Sequence, residues 1–282
     1  MRTLAAVLAV IPLAIAVPSP TAHAVPDKPK SPPACGAKIL PLVVGNTWTY
    51  VAGVANNVQS VIDARIAPRQ PTRIVINVKS IEPRGSDTIV ALEETITYEL
   101  APAANKKPAV TSEIVVNSTI KCNATRFEIS PDSFLFSGEP GGYRALRFDK
   151  FDRSKDTSLK LTNGTIGDAP WREDIVAHFT RIAAKGSDAK LSAGKLELER
   201  AFTPAISEPV TTKSGINYPK PEKLGLVTTG RVTFDTPMSP QSKPSELPAD
   251  WRSLFWFEPN VGLVKTQNMY AHVYELADSQ LK

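Results

Sequence analysis

Val90-Ala91-Leu92-Glu93-Glu94-Thr95-Ile96-Thr97-Tyr98-Glu99-Leu100 is the stretch that decides the fold. Val90, Leu92, Ile96, Tyr98 and Leu100 share one parity, and Glu93, Thr95, Thr97 and Glu99 share the other. A period of two held over this length predicts a half-buried antiparallel strand. Glu94 breaks the pattern. It has the parity of the apolar set, so a simple strand turns its carboxylate inward, where it needs a partner or a raised pKa. Glu94 therefore marks a ligand cavity, or an internal Arg pairs it, or a bulge between Glu93 and Glu94 returns it to solvent.

The same alternation recurs on both sides. Ile74, Ile76 and Val78 alternate with Arg73, Asn77 and Lys79, and Ile114, Val116 and Ile120 with Glu113, Asn117, Thr119 and Lys121. Leu196 and Leu198 alternate with Glu197 and Glu199; Leu226, Val232 and Phe234 share a parity, as do Trp251, Phe255 and Phe257. Long strand–helix alternation is absent, which argues against a parallel α/β sheet. The expected fold is mainly β, one large curved antiparallel sheet forming a half-barrel or open barrel. A helix is expected near 169–185, in or across the concave face. Asp168-Ala169-Pro170 reads as its start, Trp171, Ile175, Phe179 and Ile182 carry helical spacing, and Gly186 ends it. The β-branched pair Ile175-Val176 supports the competing reading, a hairpin arm.

The chain opens with Met1-Arg2, an apolar run from Leu4 to Val17 and Thr21-Ala22-His23-Ala24. This is the pattern of a Sec-type signal peptide over residues 1–24, with a run too short to span a bilayer comfortably. A Pro/Lys-rich leader follows over 25–35, then a single β domain over 36–282, interrupted by a Pro-rich loop at 235–250. The expected location is periplasmic or extracellular, with no transmembrane segment after signal removal. Two cysteines, Cys35 and Cys122, fit one disulfide in an oxidising compartment. Cys122 shares the inward parity of Ile120, so the bond pins the leader against the sheet. Cys35 has a rival reading as a lipid-attachment site, but Pro32-Pro33-Ala34 lacks the aliphatic residue such a site carries.

The charges are mixed. Lys and Arg number 33 against 28 Asp and Glu, with no basic run of five. A nucleic-acid partner needs a concentrated basic stripe, so none is expected. Gly-x-Ser-x-Gly, His-Glu-x-x-His and glycine-rich phosphate-loop motifs are absent, and no catalytic residue, metal ligand or cofactor is assigned. His178 reads as a partly buried structural histidine. Tyr270, His272 and Tyr274 share a strand face, either a solvent-facing aromatic ladder or, with Glu94, the lining of a cavity. Asn117, Asn123 and Asn163 each begin a glycosylation triplet, relevant only in a eukaryotic source.

Two phrases bracket the domain: Pro41-Leu42-x-x-Gly45-Asn46-Thr47-Trp48-Thr49-Tyr50, and Val261-Gly262-Leu263-Val264-Lys265 followed by Tyr274-Glu275-Leu276. With Glu208-x-Val210 and Gly215 between them, the chain resembles a group of exported bacterial proteins of uncharacterised function. These are curved-sheet domains broadly like the lipoprotein carriers of the periplasm. The chain departs from many of them in lacking a usable lipid-attachment cysteine, and the group supplies no catalytic residue to carry over. The expectation is an exported, non-enzymatic protein that binds lipid or another apolar or amphipathic ligand on the concave face. Its alternatives are a cell-envelope structural or interaction module with an envelope-protein partner and no small ligand, and third, an unrecognised enzyme.

Overall fold

The structure is a computed structural model that describes residues 33–53, 70–100, 110–130, 133–137, 146–154, 159–181, 193–234, 245–246, 251–268 and 270–282. Its strands are β1 (Thr47–Ala52), β2 (Arg73–Arg84), β3 (Asp87–Leu100), β4 (Val110–Cys122), β5 (Arg126–Ile129), β6 (Leu146–Arg153), β7 (Leu159–Thr162), β8 (Thr165–Ile166), β9 (Trp171–Arg181), β10 (Ala193–Ala205), β11 (Val210–Thr211), β12 (Asn217–Tyr218), β13 (Glu222–Phe234), β14 (Ser245–Glu246), β15 (Trp251–Glu258), β16 (Gly262–Gln267) and β17 (Val273–Gln280). One short helix, α1 (Phe134–Ser137), follows β5.

Among the described residues every pairing is antiparallel, and all strands except the β11–β12 hairpin join one sheet. Its order is β6-β9-β10-β13-β15-β16-β17-β1-β2-β3-β4-β5-β7-β8, with β14 beside β13. The sheet has two ends, β6 and β8, and does not close into a barrel. The mainly β, open, antiparallel architecture expected from the alternation is what the chain adopts. β1 pairs with β17 mid-sheet, so the first and last strands are neighbours.

The 169–185 region corrects the sequence reading. Trp171–Arg181 is strand β9, paired with β6 and β10; residues 182–185 lie outside the described set. Glu173, Ile175, Ala177 and Phe179 are all buried, which is period two. The expected loop at 235–250 also lies outside the described residues, except that Ser245 and Glu246 pair with Val232 and Arg231.

The two bracketing phrases meet in space. Trp48 Nε1 donates to the carbonyl of Val261 at 2.7 Å. A Cβ on Gly262, whose φ is +115°, would stand 2.9 Å from that same nitrogen, so both backbone angle and close approach call for glycine. Asn46 is fully buried; its side chain donates to Pro41 O at 2.6 Å and accepts from the N–H of Lys282 at 2.8 Å.

Residues 33–44 form a strap across one end of the sheet. Ala37, Ile39, Leu40 and Leu42 are buried. The N–H groups of Lys38 and Ile39 donate to Gly164 O, between β7 and β8, at 2.7 and 3.0 Å. Asn260 N–H, in the turn before β16, donates to Lys38 O at 2.6 Å. The strap is tied down by a disulfide between Cys35 and Cys122, with Cα atoms 5.9 Å apart. Both cysteines are therefore in a disulfide, and no described cysteine is free.

Candidate site: the chamber around α1

The connection from β5 to β6 joins strands near opposite ends of the sheet order, and α1 lies within it in sequence. Its three apolar side chains, Phe134, Leu135 and Phe136, are at most 1% exposed. Phe134 packs against Tyr50 and Tyr274, with centroids 5.1 and 5.4 Å away. Phe136 stacks on Phe257 at 5.1 Å and is ringed by Phe127, Phe202 and Phe255 at 6.0 to 6.5 Å. These rings come from β1, β5, β10, β15 and β17, so α1 forms the centre of the aromatic core.

Glu94 holds it there. The pairings of β3 run through Glu93 and Glu94 without a bulge, opposite Ile76 on β2 and Val116 on β4. The carboxylate consequently faces inward and is fully buried. Its Oε1 accepts from the hydroxyls of Ser118 at 2.7 Å and Ser133 at 2.6 Å, and its Oε2 from the backbone N–H of Phe134 at 2.8 Å. Ser133 Oγ in turn accepts from Leu135 N–H at 3.3 Å. A buried carboxylate with several donors is satisfied, and these donors fix the first turn of α1 to β3 and β4.

Polar groups at the chamber wall are less well served. The buried hydroxyls of Tyr50 and Tyr218 have no hydrogen-bond partner among the described residues. Burial pushes the Tyr50 phenol well above its ordinary range, and the nearby Glu94 carboxylate and Tyr218 push it further. Burial and the Glu258 carboxylate push Tyr218 up to about 12.

Of the four residues considered as cavity lining, two meet. Glu94 and Tyr274 both contact Phe134. Tyr270 and His272 do not join them and are not on a strand, because β16 ends at Gln267 and β17 begins at Val273. The intervening turn is organised by Asn268, whose Oδ1 accepts from the N–H groups of Tyr270 and His272 at 3.0 Å each, with Ala271 at φ 60°. The two rings sit 5.9 Å apart in that turn, and burial holds the His272 imidazole below its ordinary pKa. The shared strand face expected for Tyr270, His272 and Tyr274 is thus broken by a turn.

A second polar cluster went unread in the sequence. Glu173 on β9 is 2% exposed and accepts from Arg200 Nε at 3.0 Å and Nη2 at 2.5 Å through one oxygen, and from Arg153 Nη1 at 3.3 Å through the other. Arg153 Nη2 also donates to Ile129 O on β5. Arg153 belongs to β6, at one end of the sheet, and Ile129 lies near the other, so this guanidinium bridges the open seam. Ile166 N–H on β8 reaches Glu222 Oε2 on β13 at 2.8 Å, a second bridge of the same kind. Parity was the available signal: Arg200 shares a face with Leu196, Leu198 and Phe202, and Glu173 with Ile175.

An open cleft of about 660 Å³ lies over β6, β9, β10 and β13. Its charged walls are engaged with neighbours on the same strands. Lys150 and His178 bond Asp152 at 2.7 and 3.1 Å, and Lys195 bonds Glu197 at 2.8 Å. The Lys150 contact, with His178 behind it, holds Asp152 below its ordinary pKa, and Lys195 does the same for Glu197. His178 is half-exposed on this outer face of β9 rather than on a helix. Among the described residues no group of three or more His, Cys, Asp or Glu could hold a metal ion. No described helix is long and apolar enough to cross a membrane.

No protein-family model matches the chain, and no curated protein matches it. Two solved structures resemble it. One is a protein described as exported, with a YmcC-like fold, from Bacteroides fragilis NCTC 9343, at 13% identity over 86% of this chain and 99% of that one, with a TM-score of 0.46. The other is described as a lipoprotein, from Parabacteroides distasonis ATCC 8503, at 15% identity over 86% and 99%, with a TM-score of 0.42. Identity this low carries no function across.

Proposed function

We propose that the protein is an exported, non-enzymatic module of the cell envelope that acts through its outer surface, with the interior of its curved sheet kept full by its own chain. The observation that supports this reading is the seat of α1. The space in which a carrier would hold an apolar ligand is taken by Phe134, Leu135 and Phe136, and Glu94 anchors them by two hydrogen bonds, from the Ser133 hydroxyl and the Phe134 N–H. Export rests on the signal-type start and on the disulfide, a bond that persists in oxidising compartments. The test is native mass spectrometry of the protein released gently from envelopes, together with cross-linking in the same fractions. The expected result is the mass of the chain alone and a cross-linked protein partner. A stoichiometric co-purifying lipid overturns the reading.

One observation favours a second reading, an amphipathic ligand that exchanges with α1. Leaving a buried hydroxyl unpaired costs about 1–3 kcal/mol, and the Tyr50 and Tyr218 hydroxyls, beside the aromatic core, have no partner among the described residues. A ligand with a hydrogen-bonding head and an aromatic or acyl tail would pair one or both hydroxyls and replace Phe134 and Phe136. Phe136→Ala separates the two readings: a carrier gains affinity for a fluorescent fatty acid, whereas a self-filled module only loses stability.

A further inference from the structure

We propose that the outer edge of β4 is a docking edge for a second copy of this chain, joined antiparallel about Val115 so that the two sheets become continuous. β4 pairs with β3 along its whole length, from Cys122 opposite Thr88 to Val110 opposite Leu100. On its other side, β5 pairs only with Ile120, Lys121 and Cys122. Thr119 shows which backbone groups point outward: its carbonyl accepts from Ser130 N–H at 2.9 Å and its N–H donates to Ser130 Oγ at 2.9 Å. Backbone direction alternates along a strand, so Thr111, Glu113, Val115 and Asn117 also turn N–H and C=O away from β3. No described residue takes those groups.

The two sheet ends differ from this edge in a way that bears on its use. Exposed edges invite pairing, and proteins blunt them with charges, bulges or brevity. β6 carries Arg147, Asp149, Lys150 and Asp152 and a bulge between Phe148 and Lys150. β8 is two residues long. The free run of β4, Val110-Thr111-Ser112-Glu113-Ile114-Val115-Val116-Asn117-Ser118, has one charge, no proline, no lysine and an unbroken register. Val115 is 55% exposed, one of three large apolar side chains so exposed among the described residues.

A second copy fits because the run is complementary to itself. With Val115 on a two-fold axis, Val115 faces Val115, Ile114 faces Val116 and Glu113 faces Asn117, so no like charges oppose and β-branched residues pair. The outward groups of residues 113, 115 and 117 then form mutual hydrogen bonds. One strand pairing buries well under about 1,000 Å², so the dimer is weak and concentration-dependent. It does not depend on whether the interior takes a ligand.

Sedimentation velocity on the purified protein, over roughly 10 µM to 1 mM, reads this directly, since weak interfaces have Kd values in that window. The wild-type weight-average mass is expected to rise from one chain toward two. Val115→Lys puts like charges on the axis and is expected to weaken dimerisation at least about tenfold with an unchanged Tm. Val115→Glu behaves likewise alone, and an equimolar mixture of the two regains the dimer. Val115→Pro removes a donor that β3 does not use, so it too is expected to fold and stay monomeric. A wild type that remains monomeric throughout, or a dimer unaffected by the Val115 variants, overturns the proposal.

Discussion

Glu94 accepts three hydrogen bonds in an otherwise apolar interior, and two substitutions separate the parts of its role. Glu94→Ala strands two hydroxyls and the Phe134 N–H without an acceptor and opens a cavity. A loss of about 3 kcal/mol or more in urea unfolding is expected. Glu94→Gln keeps one acceptor, and the serine hydroxyls can reorient to accept from its amide, so the loss is smaller. Small losses in both variants would show that the packing of α1, not the carboxylate, holds the segment. At the start of β13 and the end of β15, burial raises the carboxyls of Glu222 and Glu258, and Glu258 further raises Glu222. The folded state therefore holds these protons more tightly than the unfolded chain. Their favourable contribution is present in acid and lost as pH rises through the folded pKa values. Glu222→Gln still accepts from Ile166 N–H, so it is expected to raise Tm at pH 7, by the equivalent of no more than about 1 kcal/mol, and to change little near about pH 3.5. Thermal scans across pH check the crossover.

The elements show what the residue pattern could and could not convey. Period two reveals β2, β3, β4 and β10 because each is long and half-buried, so two or more apolar residues in succession alternate with polar ones along the strand. β9 misleads for a simple reason. Trp171, Ile175 and Phe179 are spaced by four, and four is both a helical turn and an even number, so the same residues share a face in either structure. Glu173 and Ala177 fall on that face too, which only a strand explains. α1 is too short to carry any period, and the central residues of the core were therefore invisible as a pattern. The inward parity of Glu94 was legible, but its partners were not, since Ser133 is joined to it only by the crossover. Phe136→Ala removes the ring that touches four others and is expected to cost about 3–5 kcal/mol. The Cys35–Cys122 bond spans 87 residues, and in the chain-entropy model its reduction lowers stability by about 4 kcal/mol. Denaturant titration with and without reductant measures that difference.

Across the whole molecule, an open sheet must manage its seam. Here Arg153 reaches from β6 to Ile129 on β5, backed by Glu173 and Arg200, and Glu222 reaches β8. Glu173→Gln would leave two largely buried guanidinium groups without their counter-charge, and a loss of about 3–5 kcal/mol is expected. Hydrogen exchange should show where it falls: faster exchange in β5 and β6, with β1, β2 and β17 unchanged, marks a seam that has parted while the sheet's middle holds.

The pairing of β1 with β17 has a consequence for how the chain is made. Thr47 pairs with Gln280 and Ala52 with Tyr274, and Lys282 N–H closes onto Asn46. A chain emerging from a ribosome or a translocation pore, N-terminus first, leaves β1 waiting with one side bare until β17 has arrived. Until then two half-sheets exist, each with an open inner margin. Pairing is thus a long-range event, and a chain that stops before β17 is expected to leave both margins exposed to whatever else is nearby.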